Sequence, residues 1–167
     1  MTLDLEIFRG RKIFLTGHTG FKGSWLANIL VNVGAEVIGY ALPPSETNSL
    51  FESLELGSRM VSHFGDIRDY DQMAERIRES SPEIIFHLAA QPLVSASYED
   101  PRGTFSTNVM GSANLLEAVR VADSVKALVF ITSDKAYENV EWIWGYREND
   151  RLGGRDPYSS SKGAAEL

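Results

Sequence analysis

"TGHTGFKG", residues 16–23, decides how this chain reads. Gly17, Gly20 and Gly23 stand three apart, directly after the apolar run "KIFLTG" at 12–17. They precede a helical pattern in which Leu26, Ile29, Leu30 and Val33 recur at i, i+3, i+4 and i+7, with Gly34 as its stop. A strand that turns into a helix through glycines can bring backbone N–H groups up to a pyrophosphate, where the helix dipole favours the anion. A Cβ in the turn would block that approach. The spacing is GxxGxxG, a variant of the GxGxxG dinucleotide fingerprint.

Working outward, "AEVIGYAL" (35–42), "EIIFHLAA" (83–90) and "ALVFIT" (127–132) are apolar with little polar alternation, as parallel strands covered on both faces should be. "MVSHFG" (60–65) is a weaker fifth strand. Between them, Tyr70, Met73, Ala74 and Ile77 repeat the helical spacing with Pro82 beyond the end. Asp100-Pro101 opens another helix, carried by Phe105, Val109, Leu115, Leu116 and Val119 to about Val121. Strands alternating with helices imply right-handed crossovers and an α/β fold with a doubly wound parallel sheet, in one domain spanning 1–167. Two segments read as irregular, 43–58 and 136–157. The second is long for a loop inside a compact domain, and with Trp142, Trp144, Tyr146 and Arg147 it is either a functional lid or a flap tucked onto the core.

Composition narrows the function. Of 167 residues, 43% are hydrophobic and 23% charged, which suits an ordinary globular protein. A net charge of -7 without any Lys/Arg run argues against a nucleic-acid surface. No window approaches the ~18 apolar residues of a membrane span, and the acidic N-terminus does not read as a signal peptide. There is no cysteine, which suits a cytoplasmic location. His18, His63 and His87 lie in separate segments without ligand spacing, so no metal site is expected.

The GxxGxxG variant resembles the extended branch of the short-chain dehydrogenase/reductase superfamily, with its Rossmann-type fold. That resemblance implies a cofactor site formed by Gly17, Thr19, Gly20, Phe21 and Gly23. In "GDIRD", Asp66 with the Ile67 backbone would contact adenine, although Asp66 reads equally well as a helix N-cap. "LAAQ", Leu88, Ala89, Ala90 and Gln91, would pass under the cofactor, and is also common core filler. Thr107, with Asn108, would face the pocket. The second strand ends in "YALPPS", with neither an acid for a ribose hydroxyl nor an arginine for a 2′-phosphate, so NAD rather than NADP rests on the resemblance.

The chemistry should converge from two further stretches. "TSDK" (132–135) ends the fifth strand, and in "DPYSSSKGAAEL" (156–167) Tyr158 and Lys162 stand four apart, a turn of helix from one another. Ligands bind beyond the carboxyl ends of strands in such sheets, which places Ser133, Asp134, Lys135, Tyr158 and Lys162 around one centre. The Lys162 ammonium favours the Tyr158 phenolate, making it a base, and Ser133 can share a hydrogen bond with the hydroxyl being oxidised. An epimerase would need no more than that.

Together with "TGHTGFKGSW", "TSDKAYEN" and "WGYREND", these stretches resemble the nucleotide-sugar 4,6-dehydratases, and among them those acting on CDP-glucose, with Lys135 where related dehydratases carry glutamate. The resemblance implies a lyase of deoxysugar synthesis: oxidation at C4 with Tyr158 as base, loss of water across C5 and C6 through Asp134 as acid and Lys135 as base, then return of hydride to C6. It also implies a homodimer paired through the helix from Asp100 and the one carrying Tyr158. Such enzymes are longer, with a C-terminal substrate region, so this chain is expected to be a truncated, N-terminal part. Two other readings stay open: a nucleotide-sugar epimerase, and a non-catalytic NAD-binding fragment resting on 17–91.

Overall fold

The computed structural model describes residues 4–44 and 48–167. Five strands, β1 (Lys12–Thr16), β2 (Glu36–Ala41), β3 (Val61–Phe64), β4 (Ile84–His87) and β5 (Ala127–Phe130), form one parallel sheet in the order β3-β2-β1-β4-β5. The chain winds outward from β1 to β3, then crosses back to β4 and β5. The reversal lies between β1 and β4, where their carboxyl ends leave a crevice.

The helices are α1 (Phe21–Asn32), α2 (Leu50–Ser53), α3 (Tyr70–Ser80), α4 (Val94–Glu99), α5 (Pro101–Phe105), α6 (Gly111–Arg120) and α7 (Pro157–Glu166). Side-chain alternation along β1 sorts them onto two layers. Ile13 and Leu15 pack with Ala27, Leu30, Phe51 and Leu56 from the α1 and α2 side. Phe14 points the other way, into Met73, Ile77, Leu115 and Ala118 of α3 and α6. Each such fully buried side chain contributes about 1.5–3 kcal/mol of transfer free energy, so the two clusters fix which faces of the sheet α1, α2, α3 and α6 cover.

Several expectations hold in detail. Gly34 closes α1 at φ +85, a conformation other residues adopt with strain. Asp100 caps α5, its side chain accepting from the Gly103 N–H, with Pro101 in the first turn. Others need correction. The buried stripe of α1 is Gly23, Ser24, Ala27 and Leu30, while Ile29 is exposed. Small residues win there because the helix runs close against the glycine turn. β1 and β2 are covered on both faces, but Val129 of β5 is exposed, so that edge strand is not buried as its apolar run implied; the other edge strand, β3, read as the weaker one, also leaves Val61 and Phe64 exposed. Within 43–58 the chain forms α2 and a 3-10 turn at Leu56–Ser58, and residues 45–47 lie outside the described residues. The helix predicted from Asp100 is interrupted by a π-helical turn, Ser106–Met110.

Two buried histidines tie stability to pH. Burial pushes His18 down to about 4 and, with the Lys162 ammonium nearby, His87 down to about 3. Unfolded imidazoles titrate near 6.5, so below that pH the unfolded chain takes up protons that the folded one refuses. Stability is therefore full above about pH 6.5 and falls toward pH 4 by about 1.4 kcal/mol per unit for each histidine. Urea midpoints should decline steadily between about pH 6.5 and 4.5. A flat midpoint across that window would show that the imidazoles are not held neutral.

Candidate active site

The floor of the crevice is a chain of hydrogen bonds between β1, β4 and the π turn. Thr16 Oγ1 accepts from the backbone N–H groups of Leu88 (3.1 Å) and Ala89 (3.2 Å), so its own proton goes to His87 Nδ1 at 2.7 Å. His87 then carries its proton on Nε2, facing Ser112 Oγ at 3.3 Å, and Ser112 donates onward to the Asn108 carbonyl at 2.6 Å. All of these side chains are buried, and the neutral imidazole fits both neighbours. The chain fixes Leu88 and Ala89 directly beneath the glycine turn.

Above that floor lies a cavity of about 470 Å3, in the usual range for a small-molecule site. Gly17, Thr19, Gly20, Phe21 and Gly23 line one wall; Leu88, Ala89 and Ala90 line the floor; Asp66, Ile67 and Thr107 also face it, and so do Tyr158 and Lys162. Thirteen of the residues read from the sequence thus meet around one space. Asp66 is not the α3 cap: Asp69 takes that role, accepting from the Gln72 N–H. Asp66 instead accepts from Arg68, whose guanidinium holds its carboxyl below the usual carboxylate range.

Two predicted cofactor contacts part company from this set. Gln91 does not line the cavity. Its side-chain amide folds onto Thr104 and Leu93, because Asn108 already holds its backbone, accepting from the Gln91 N–H at 2.8 Å and donating to the Gln91 carbonyl at 3.1 Å. Asn108 likewise turns away from the cavity that Thr107 faces. Its amide also donates to Ser161 Oγ, and Ser161 donates to the Tyr158 carbonyl. The π turn is what lets adjacent residues serve both jobs, since it offsets the helical register by one.

Lys162 is buried, and its ammonium donates to the Ile131 carbonyl at 3.0 Å. Burial pushes its pKa down, opposed by Glu166 one turn further on. A desolvated ammonium acts on its surroundings through a lower effective dielectric than one in water.

Asp134 and Lys135 open into a second, polar cavity of about 770 Å3 that also takes in Glu138, Asn139, Tyr146 and Asp156. The two hollows share walls: Thr132 and Tyr158 face the first, and Asp134 and Ser159 the second. Ser133 lines neither. Its hydroxyl donates to Asp134 Oδ1 at 3.1 Å and accepts from the Lys135 N–H, capping the short turn. Thr132, which sequence reasoning passed over, lines the first cavity instead. The segment 136–157 is partly structured. Tyr137 bridges antiparallel to Leu152, and Tyr137 stacks on Tyr146 with ring centroids 5.6 Å apart. It walls the second cavity, with Trp144 exposed.

A family model described as GDP-mannose 4,6 dehydratase matches residues 14–167. The chain belongs to that family. Within it, the chain is 56% identical over 165 residues to a CDP-glucose 4,6-dehydratase from Salmonella typhimurium, covering 99% of this chain and 46% of that protein. A CDP-paratose 2-epimerase from Salmonella typhi is 32% identical over 172 residues, covering 93% and 51%. Among solved structures, a UDP-glucose 4-epimerase from Thermus thermophilus in complex with NAD superposes with a TM-score of 0.79 at 30% identity, over 93% of this chain and 48% of that one. The chain therefore spans about half the length of the family members and relatives it matches. The part of this chain that superposes carries the parallel sheet with helices on both faces described above. No helix among the described residues is long and apolar enough to cross a membrane.

Proposed function

We propose that the protein is a CDP-glucose 4,6-dehydratase working through bound NAD, and that the first cavity holds the dinucleotide. Three glycines supply the fit. A Cβ at Gly17 would lie 2.7 Å from Ala89 N, and one at Gly23 would lie 2.0 Å from the Gly17 carbonyl oxygen, so the fold itself requires both glycines. A Cβ at Gly20 meets only the Gly17 carbonyl oxygen, at 3.4 Å, so the fold would accept a methyl there. The bare wall at Gly20 suits a ligand that must come close. Gly20→Ala is expected to keep its melting temperature while weakening NAD binding by about tenfold or more; Gly17→Ala should lose stability. Equal NAD affinity in Gly20→Ala and wild type would remove this support.

When bound, NAD supplies the acceptor and donor of hydride. The chain's residues handle protons. Tyr158, with Lys162 a turn away, takes the proton of the sugar 4-hydroxyl. The 4-ketone so formed acidifies the C5 proton; Lys135 removes it and Asp134 protonates the departing 6-hydroxyl, so that water leaves. Ser133, bonded to Asp134, orients that carboxyl. The observation that carries this reading is the adjacent acid and amine on the turn after β5, opening into a polar cavity beside the Tyr158 site. Oxidation and re-reduction at one carbon has no use for them, so an epimerase is the weaker reading. Incubation with CDP-glucose and NAD should give a product lighter by one water; a product of unchanged mass would favour the epimerase. The same reading carries a cytoplasmic homodimer packed through α5, α6 and α7.

A further inference from the structure

We infer that Glu166, tethered by Tyr137, is a positioning residue for the Tyr158–Lys162 pair: its carboxylate is the counter-charge of the buried Lys162 ammonium. The inference rests on that pair acting as proposed above. Tyr158, Lys162 and Glu166 recur every four residues along α7, so all three stand on one face, a turn apart. Lys162 is buried, and its ammonium donates to one partner among the described residues, the neutral Ile131 carbonyl. A buried ammonium so thinly bonded is costly unless a carboxylate lies near.

Glu166 has the placement for that. Its Oε1 accepts from the Tyr137 hydroxyl at 2.7 Å, and its Oε2 is buried without a hydrogen bond among the described residues. No ion pair among those residues includes it. Its charge is left to act along the helix face on Lys162, where it opposes the downward push that burial gives the lysine pKa. By helix rise, Glu166 stands about 6 Å along the axis from Lys162 and about 12 Å from Tyr158. The ammonium therefore feels the carboxylate more strongly than the phenol does, and Glu166 favours a charged Lys162 at little cost to the Tyr158 phenolate.

The tether comes from the segment that walls the second cavity. Tyr137 lines that cavity, stacks on Tyr146 and bridges to Leu152. Its hydrogen bond to Glu166 pushes its own pKa up, with Glu148 and Asp150 adding to the push, so the phenol stays a donor. The second cavity thus reaches the lysine through one hydrogen bond and one turn of helix. Few other titratable groups bear on Lys162. Tyr158 shares its helix, Asp156 caps the opposite end of that helix, and His87 on β4 is held neutral. Of the elements packed on α7, the turn after β5 carries Asp134 and Lys135, α4 carries Tyr98 and Glu99, and α5 carries Arg102; all five are exposed, and solvent screens them. The π turn carries none.

Titration of the lysine Cε carbon-13 resonances between about pH 7 and 11, with Lys162 assigned through Lys162→Arg, tests the inference and needs neither dinucleotide nor sugar. In Glu166→Gln the Lys162 midpoint should fall by about half a pH unit or more. Glu166→Asp, which keeps the charge, should restore part of that fall, and Tyr137→Phe, which releases the carboxylate, should lower the midpoint by less. The alkaline limb of kcat with CDP-glucose should follow the midpoint in each variant, which a merely structural loss would not produce. An unmoved midpoint in Glu166→Gln, or in Tyr137→Phe should the first variant fail to fold, would overturn the inference and leave Tyr158 and Lys162 in their roles. Midpoints that move as expected while no product forms would uphold the hold of Glu166 on Lys162 and remove the proposed function instead.

Discussion

Replacing Lys135 with alanine should slow loss of water by about 10²–10⁴-fold, the usual contribution of a general base, while leaving the first oxidation intact. In rapid mixing with CDP-glucose, the absorbance of the reduced nicotinamide should rise and persist rather than pass through a brief transient. The reason is the order of events: the C5 proton becomes acidic only after C4 is a ketone, so a base for C5 is not needed before then. Lys135 is exposed and its side-chain nitrogen makes no hydrogen bond within the described residues, so stability should change by less than about 0.5 kcal/mol. Loss of the nicotinamide signal itself would show that Lys135 does not act at C5.

Tyr158→Phe should have the broader effect. Removing only the phenolic oxygen keeps the ring in its half-buried place, and no hydrogen bond of that hydroxyl holds the fold among the described residues. The 4-hydroxyl then has no base, so oxidation and everything after it should fall by about 10²–10⁴-fold in kcat. NAD affinity should be little changed, because the Lys162 amine and the glycine wall remain. The two variants are separated by one trace: a persistent nicotinamide signal in Lys135→Ala, none in Tyr158→Phe. A signal in the tyrosine variant would assign the base elsewhere.

These residues were visible in the sequence for uneven reasons. β1, β2 and β4 stood out because strands near the middle of a parallel sheet are apolar nearly throughout, and the glycine turn is punctuated by residues whose absence of a side chain is sterically required at Gly17 and Gly23. Gly34 and Asp100-Pro101 announced helix ends through local backbone chemistry. The π turn at Ser106–Met110 left no such mark, because one inserted residue does not alter an apolar period enough to be read. Its consequence, Thr107 facing the cavity while Asn108 pins Gln91 and Ser161, depends on tertiary hydrogen bonds alone. Helix α4 is short and carries no amphipathic period. Arg68 sat in plain view within "GDIRD", yet only the fold carries it to the cavity wall beside Asp66. The division of Tyr158 and Asp134 between two hollows also belongs to geometry: "TSDK" switches sides within three residues, Thr132 to one cavity and Asp134 to the other.

The most direct test of the dehydratase assignment follows a single label. CDP-glucose deuterated at C4 should be converted to a 4-keto product lighter by one water, with the deuterium found on the C6 methyl group. Deuterium returned to C4 in a product of unchanged mass would contradict the assignment and leave Asp134 and Lys135 without the roles given to them.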